Sequence, residues 1–360
     1  MNENIISLLE QLVAIPSVTA DRAANQRALD FLEQSCHPSL VRMRVKDDDK
    51  ASLLIALEDT LDFDILVLAH VDVVPAPAEM FEIRRDGDKL IGRGTADMKA
   101  GICAHLAVLN ELAASGVRKK IGLLVVTDEE TGGKIAPYWI GQMGLKTKVL
   151  LDPDSGSDIN AVTEKSKWLW QLKLTATGTG AHGAYPWLGI DAIELLTAAN
   201  VRLRALFPIY SKNNVPSDTW TSTAHIGLIE GGEAVNTTAP SASAVWDFRL
   251  TSRDDIARIQ SVLDELPAGV TYETIGTADA VIADRSNPLF QKYCDLIALK
   301  TGRPITLRTT GGATDARHFV PMGALIIPHQ PTGGEVHSDA EWLSLSALET
   351  YADILRDFLK

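Results

Sequence analysis

Short, almost wholly apolar runs alternate with helix-period segments over the first 160 residues of the chain. The runs at 65–69, 121–126 and 149–151 are too short for helices and show no polar face, so they predict strands buried on both sides. Apolar residues at three-and-four spacing predict helices over 4–15, 23–35 and 98–114. In the last of these Met98, Ile102, Leu106, Leu109 and Ala113 form one stripe, and Gly116 supplies the stop. Buried strands separated by helices predict an α/β fold: a mainly parallel sheet with helices on both faces.

The period changes near Glu164. Trp168, Trp170, Leu172 and Leu174 alternate with mostly polar or basic neighbours, the mark of a half-buried antiparallel strand over 168–177. A helix at 191–206, strands at 219–230 and 242–251, a helix at 253–265 and a strand at 270–275 follow. Helix periodicity then resumes at 287–301 and 344–359, with an apolar strand at 324–328 between them. The pattern therefore predicts one domain made of 1–163 and 276–360, interrupted by a smaller α+β domain at 164–275. No repeat or low-complexity tract is visible.

Composition narrows the function classes. Lysine and arginine number 34 against 47 acids, a net charge of −13, which predicts neither a nucleic-acid nor an anionic-membrane partner. A small anionic substrate needs only one or two placed arginines and stays compatible. Apolar runs such as 53–57 are far too short for a bilayer. The N-terminal segment carries Glu3 and Glu10 with no basic region, and reads as a helix stopped at Pro16 rather than a secretory leader. Cys36, Cys103 and Cys294 are far apart and form no C-x-x-C pair, which predicts a reducing, cytoplasmic setting.

The candidate chemistry sits where strands end, the place where ligands collect on a parallel sheet. His70-Val71-Asp72 follows the first buried strand; in this spacing the carboxylate can orient the ring of a ligating histidine. Gly92-Arg93-Gly94-Thr95-Ala96-Asp97-Met98-Lys99 runs into the helix at 98–114, with two glycines that permit a sharp turn. Asp128-Glu129-Glu130 and Gly132-Gly133 follow the strand at 121–126, and adjacent acids there repel unless a cation neutralises them. Asp152-Pro153-Asp154 follows the strand at 149–151, and His337 lies beyond the strand at 324–328. Imidazoles and carboxylates without thiolate suit zinc, or failing that manganese or cobalt. An acid beside a ligand acid, as Glu129 is beside Glu130, is placed to act as general base. The string Gly178-Thr179-Gly180-Ala181-His182-Gly183 matches a dinucleotide loop only in letters, since Pro186 and Trp187 intervene before any helix.

The order and spacing of His70-x-Asp72, Gly94-Thr95-Ala96-Asp97-Met98-Lys99, Asp128-Glu129-Glu130, Asp152-Pro153 and His337 resemble the di-zinc amidohydrolases and exopeptidases over essentially the whole chain. That family includes succinyl-diaminopimelate desuccinylase, acetylornithine deacetylase, aminoacylase, dipeptidases and glutamate carboxypeptidase. The resemblance implies two zinc ions per subunit, held by His70, Glu130, Asp152 and His337 and bridged by Asp97. Cobalt or manganese could replace zinc, and Asp154 is a rival to Asp152. It also implies Glu129 as general base and Asp72 as the carboxylate that fixes His70. The inserted domain would be a lid used for dimerisation. There Gly180-Ala181-His182-Gly183-Ala184-Tyr185-Pro186 implies that His182 crosses a homodimer interface to steady the tetrahedral intermediate. Asn236, Arg249, Gly311, Gly312 and Arg317 fall at positions implied to hold substrate. The implied substrate is an N-acyl amino acid, with dipeptidase or carboxypeptidase action on short peptides as the alternative.

Overall fold

The computed structural model describes residues 2–156 and 158–360. The chain divides into two compact units, one formed by residues 1–165, 281–308 and 314–360, the other by 166–280 with 309–313.

The first unit is built on a six-stranded sheet in the order Val41–Val45, Ser52–Ala56, Ile121–Val126, Asp62–His70, Lys146–Asp152, Leu325–Pro328. The last four strands run parallel, and the first two add an antiparallel edge. The apolar runs follow from strand alternation between two covered faces. Leu53, Ile55, Val67, Ala69, Leu123, Val125 and Leu151 pack with the helices Asn2–Val13, Arg22–Gln34, Ala100–Ala114, Pro288–Thr301 and Leu345–Leu359. Their neighbours Leu54, Leu66, Leu68, Leu124, Val126 and Leu150 pack on the other face with Trp139 of Ile135–Gly141 and with Phe319. Side-chain caps start several helices: Asp21 accepts from Ala24 N, Asn287 from Leu289 N and Ser344 from Ala347 N.

The expected amphipathic helix over 98–114 differs in two ways. It begins at Ala100, because Asp97 and Met98 leave helical φ/ψ. It is also buried on nearly every side, with the helices Asn2–Val13 and Leu345–Leu359 against it, so its stripe is not a face between core and solvent. A second, four-stranded sheet (Arg84–Asp86, Lys89–Ile91, Trp342–Ser344, Gly333–Gly334) has no counterpart in the sequence reading. Its strands have two or three residues, too few to carry a period.

The second unit is a four-stranded antiparallel sheet, in the order Thr223–Gly231, Ser241–Leu250, Trp168–Thr177, Val270–Ala278. Its buried face holds Leu172, Leu174, Trp246 and Phe248 against Leu196, Leu203, Ile259 and Leu263 of the helices Ala192–Arg204 and Arg253–Leu263. The Trp246 and Phe248 rings stack with centroids 5.3 Å apart, and Trp246 Nε1 donates to Asn200 Oδ1 at 2.9 Å. Among the described residues no helix is long and apolar enough to cross a membrane.

Two histidines lie in the core of the first unit. Burial pushes His105 and His329 down to about 4 from an ordinary 6.5. The unfolded chain therefore binds protons between about pH 6.5 and 4 that the folded chain refuses. Stability from these rings is present above that window and is lost as pH falls through it, by about 1.4 kcal/mol per pH unit for each ring. His105 donates from Nδ1 to Gly101 O at 2.7 Å and stands edge-on to Tyr351. His105→Phe is expected to make the acid-side loss shallower by about one ring's share, measured by urea unfolding at several pH values across the window. An unchanged slope would mean that this ring does not titrate on unfolding.

Candidate metal centre

His70 closes the strand Asp62–His70, and its ring is buried. Nδ1 donates to Asp72 O at 2.9 Å, which leaves Nε2 to face Asp97 Oδ1 at 3.1 Å and Asp154 Oδ2 at 3.7 Å. Burial opposes charge on this ring, but the carboxylates of Asp154, Asp72 and Asp97, as acceptors for its N–H groups, override it and raise the pKa well above the usual range. The ring's bond thus goes to the Asp72 carbonyl, and the carboxylate expected to fix it stands 3.5 Å from Nδ1. It is fully buried, with Oδ2 accepting from the Thr19 hydroxyl (2.9 Å) and Glu130 N (3.3 Å) and Oδ1 from Glu129 N (3.3 Å). One carboxylate thus ties the His70 strand to the turn that carries both glutamates.

Asp97 spans two imidazoles. Its Oδ2 lies 3.0 Å from His337 Nε2, so His70 and His337 meet opposite oxygens of one carboxylate. Burial would raise its pKa, but hydrogen bonds to the two rings hold it far below the usual carboxylate range. His337 adopts a left-handed backbone, φ 63°, and its Nε2 is also 3.3 Å from Glu130 Oε2. The result is two sets of groups, His70–Asp97–Asp154 and Asp97–Glu130–His337, each with ligand atoms within 4.8 Å of one another and sharing Asp97.

Asp152, expected as a ligand, belongs to neither set but lines the same small cavity as His70. Its Oδ2 accepts from the Thr314 hydroxyl at 2.7 Å and its Oδ1 from Asp154 N at 3.2 Å. The second contact is a local Asx-type turn, and it is Asp154, the rival named in the sequence reading, whose carboxylate reaches His70.

Glu129 lines a small cavity with His70, Met98, Asp152, Asp154 and Asp315. Burial is the main force that lifts its carboxyl to about 7. His70 opposes the rise, and the carboxylates of Asp315, Asp97 and Glu130 add to it. Burial likewise raises Glu130 and Asp154, and lifts Asp152 to about 6. Six carboxylates (Asp72, Asp97, Glu129, Glu130, Asp152 and Asp154) gather around two imidazoles. That gathering of buried and half-buried carboxylates, with both nitrogen and oxygen donors, fits divalent cations of the zinc class.

Arg317 is used internally. Nη2 donates to Gly132 O at 2.8 Å and lies 3.3 Å from Asp315, and the side chain is only 11% exposed. Gly133 next to it has φ +55°, and a Cβ there would fall 1.8 Å from Asp315 Oδ1. Arg317, expected to hold substrate, thus ties to the glutamate turn through Nη2, and Asp315 packs against that turn at Gly133.

The remaining candidates lie in the second unit. His182 is exposed, and its Nδ1 accepts from Ala184 N at 3.1 Å, which assigns the ring proton to Nε2. Gly183 N donates to Asn236 O at 2.7 Å, so the His182 loop and the Asn236 turn are joined. Arg249 forks onto Asp247 (Nε–Oδ1 2.9 Å, Nη2–Oδ2 3.2 Å), and its Nη1 donates to Gly311 O at 3.3 Å, beside Gly312. The sequence reading missed Glu341. It is fully buried and accepts from Arg93, Gly94, Ala96 and Asp97; in the sequence it is one acid in a polar run.

The model of peptidase family M20/M25/M40 matches residues 66–360. The chain is 27% identical over 392 residues to a succinyl-diaminopimelate desuccinylase of Paraburkholderia xenovorans, covering 99% of this chain and 98% of that protein. It is 30% identical over 273 residues to a probable carboxypeptidase of Aspergillus clavatus, covering 69% of this chain but only 62% of that protein. Among solved structures, the aminopeptidase PepT of Bacillus cereus superposes with a TM-score of 0.78 at 19% identity, over 99% of this chain and 98% of that one. An M20 family metallo-carboxypeptidase of Sulfolobus solfataricus gives 0.75 at 14%, over 100% and 99%. These two likenesses carry the fold; the family match carries the class. The chain belongs to peptidase family M20/M25/M40 and is an enzyme, a metal-dependent hydrolase of amide bonds.

Proposed function

We propose that the chain removes the acyl group from an N-acyl amino acid, in the manner of a deacylase or desuccinylase, at a centre of two zinc ions. The observation that carries this is Asp97 between His70 and His337. In this reading His70 and Asp154 hold one ion, His337 and Glu130 the other, and Asp97 is shared. Cobalt or manganese would fit the same donors. When bound, the ions lower the pKa of a water and polarise the amide carbonyl.

The protein's own groups do the rest. Glu129, with a proton affinity near neutrality, takes the proton of the attacking water and returns it to the leaving amine. The Nε2–H of His182 faces outward as a donor for the developing oxyanion, supplied across a homodimer. Arg249, with Asn236, Gly311 and Gly312 in the same unit, would engage the substrate carboxylate and carbonyl; Arg317 acts through the glutamate turn. Dimerisation has support in the second unit: the edge strand Thr223–Gly231 exposes Leu228 and Ile229, and the helix Ala192–Arg204 exposes Ile193 and Val201. The three cysteines are free and buried, in keeping with a cytoplasmic setting.

A second reading, hydrolysis of short peptides, is favoured by the match to a probable carboxypeptidase. The full-length desuccinylase match weighs for deacylation. Hydrolysis of a panel of N-succinyl and N-acetyl amino acids and dipeptides, with metal content measured on the same preparation, separates them. Higher kcat/KM for the N-acyl amino acids is expected; the reverse order would replace the deacylase reading with the peptidase one. On the better substrate Glu129→Gln is expected to keep its metal and lose at least ~10²-fold in kcat. Wild-type kcat would remove Glu129 as the base.

The dimer role of His182 has its own test. His182→Ala and Glu129→Gln homodimers should each be nearly inactive. Random subunit exchange makes about half the dimers mixed, each with one complete site, so about a quarter of wild-type activity should return. No recovery after verified exchange would show that His182 does not act across subunits.

A further inference from the structure

Glu341 sits four residues beyond His337, just before the short strand Trp342–Ser344, and is fully buried. All four of its side-chain hydrogen bonds reach one stretch of chain. Oε2 accepts from Arg93 Nη1 at 2.6 Å and Gly94 N at 3.1 Å, and Oε1 from Ala96 N and Asp97 N, each at 3.0 Å. Its carbonyl also accepts from Gly92 N at 3.1 Å. The 92–97 stretch cannot satisfy these amides itself: Gly94 is left-handed at φ +82° and Asp97 is extended at φ −125°, ψ 91°. Buried donors left open cost about 1–3 kcal/mol each. Of the side chains, only a carboxylate offers two oxygens with two acceptor positions apiece to four converging donors.

The consequence reaches Asp97 and His337. The residue that holds Asp97's backbone amide belongs to the segment that carries His337, so one carboxylate fixes two loops far apart in sequence. The Asp97 carboxylate then lies between the rings of His70 and His337.

We propose that Glu341, clamped by Arg93, is a positioning residue that sets the separation of Asp97 and His337 and hence the metal affinity of the centre. The inference rests on the reading of those two residues as ligands. It predicts more than a stabilising role. Glu341→Gln keeps the shape but turns an NH₂ group towards two N–H donors, so one side of the clamp must open.

The test uses the full chain, stripped of metal and titrated with zinc against a chromophoric chelator, with thermal unfolding of the metal-free protein and kcat and KM at saturating zinc. Glu341→Gln is expected to weaken binding of at least one zinc ion about 10–100-fold and to lower kcat, with KM held within about twofold. Leu348→Ala, a core substitution in the helix Leu345–Leu359, is expected to lower metal-free stability and leave zinc affinity unchanged. If Glu341→Gln is not obtained folded, Arg93→Lys carries the same test, with a loss of about tenfold expected. Wild-type zinc affinity in Glu341→Gln, or in Arg93→Lys where that variant stands in, would overturn the positioning role. A wild-type chain that takes up no zinc would overturn both this inference and the proposed function.

Discussion

One carboxylate between two imidazoles is the constraint around which the first unit is arranged. Asp97 lies 3.1 Å from His70 and 3.0 Å from His337, although 27 residues separate it from one and 240 from the other. To bring these three together the chain must end a buried strand at His70, leave helical geometry at Asp97 and take up a left-handed backbone at His337. Three bonded groups surround these residues: Asp72 on the glutamate turn, Glu341 on the amides of Gly94, Ala96 and Asp97, and Lys99 on the carbonyls of Leu12 and Ile15.

Electrostatics suits this arrangement to a cation. Burying six carboxylates near two imidazoles pushes most of the acids towards their neutral forms, and a divalent cation removes that strain. Glu129 is different in kind, because in the proposed mechanism it must exchange protons. Its lift to about 7 comes first from burial and then from neighbouring acids, with His70 opposing. The brace formed by Asp315, Arg317 and Gly133 holds the turn that carries it.

The legible part of this architecture is the part that leaves a periodic trace. Residues 65–69 and 121–126 are apolar throughout because successive side chains enter two different cores, so they read directly as doubly covered strands. Acids and histidines at the ends of such strands stand out against an apolar background, which is why His70, Asp97, Glu129, Glu130 and His337 could be singled out. Choosing between Asp152 and Asp154 was not possible from residue type. In the fold it is the Asp154 carboxylate that comes near the His70 ring, while Asp152 accepts from the hydroxyl of Thr314, 162 residues away. Arg317 and Glu341 show the same limit in opposite directions. Arg317 turns one nitrogen to Gly132, 185 residues away, and an acid in a polar run turns out to accept four hydrogen bonds from 93–97.

The central claim is that Asp97 is shared by two metal ions with unlike partners. Anomalous scattering at the zinc edge, from crystals of the chain equilibrated with zinc, tests it most directly. Two peaks flanking the Asp97 carboxylate are expected, one against His70 and Asp154 and the other against His337 and Glu130. A single peak, or an ion held by Asp152 with Asp154 turned away, would contradict it.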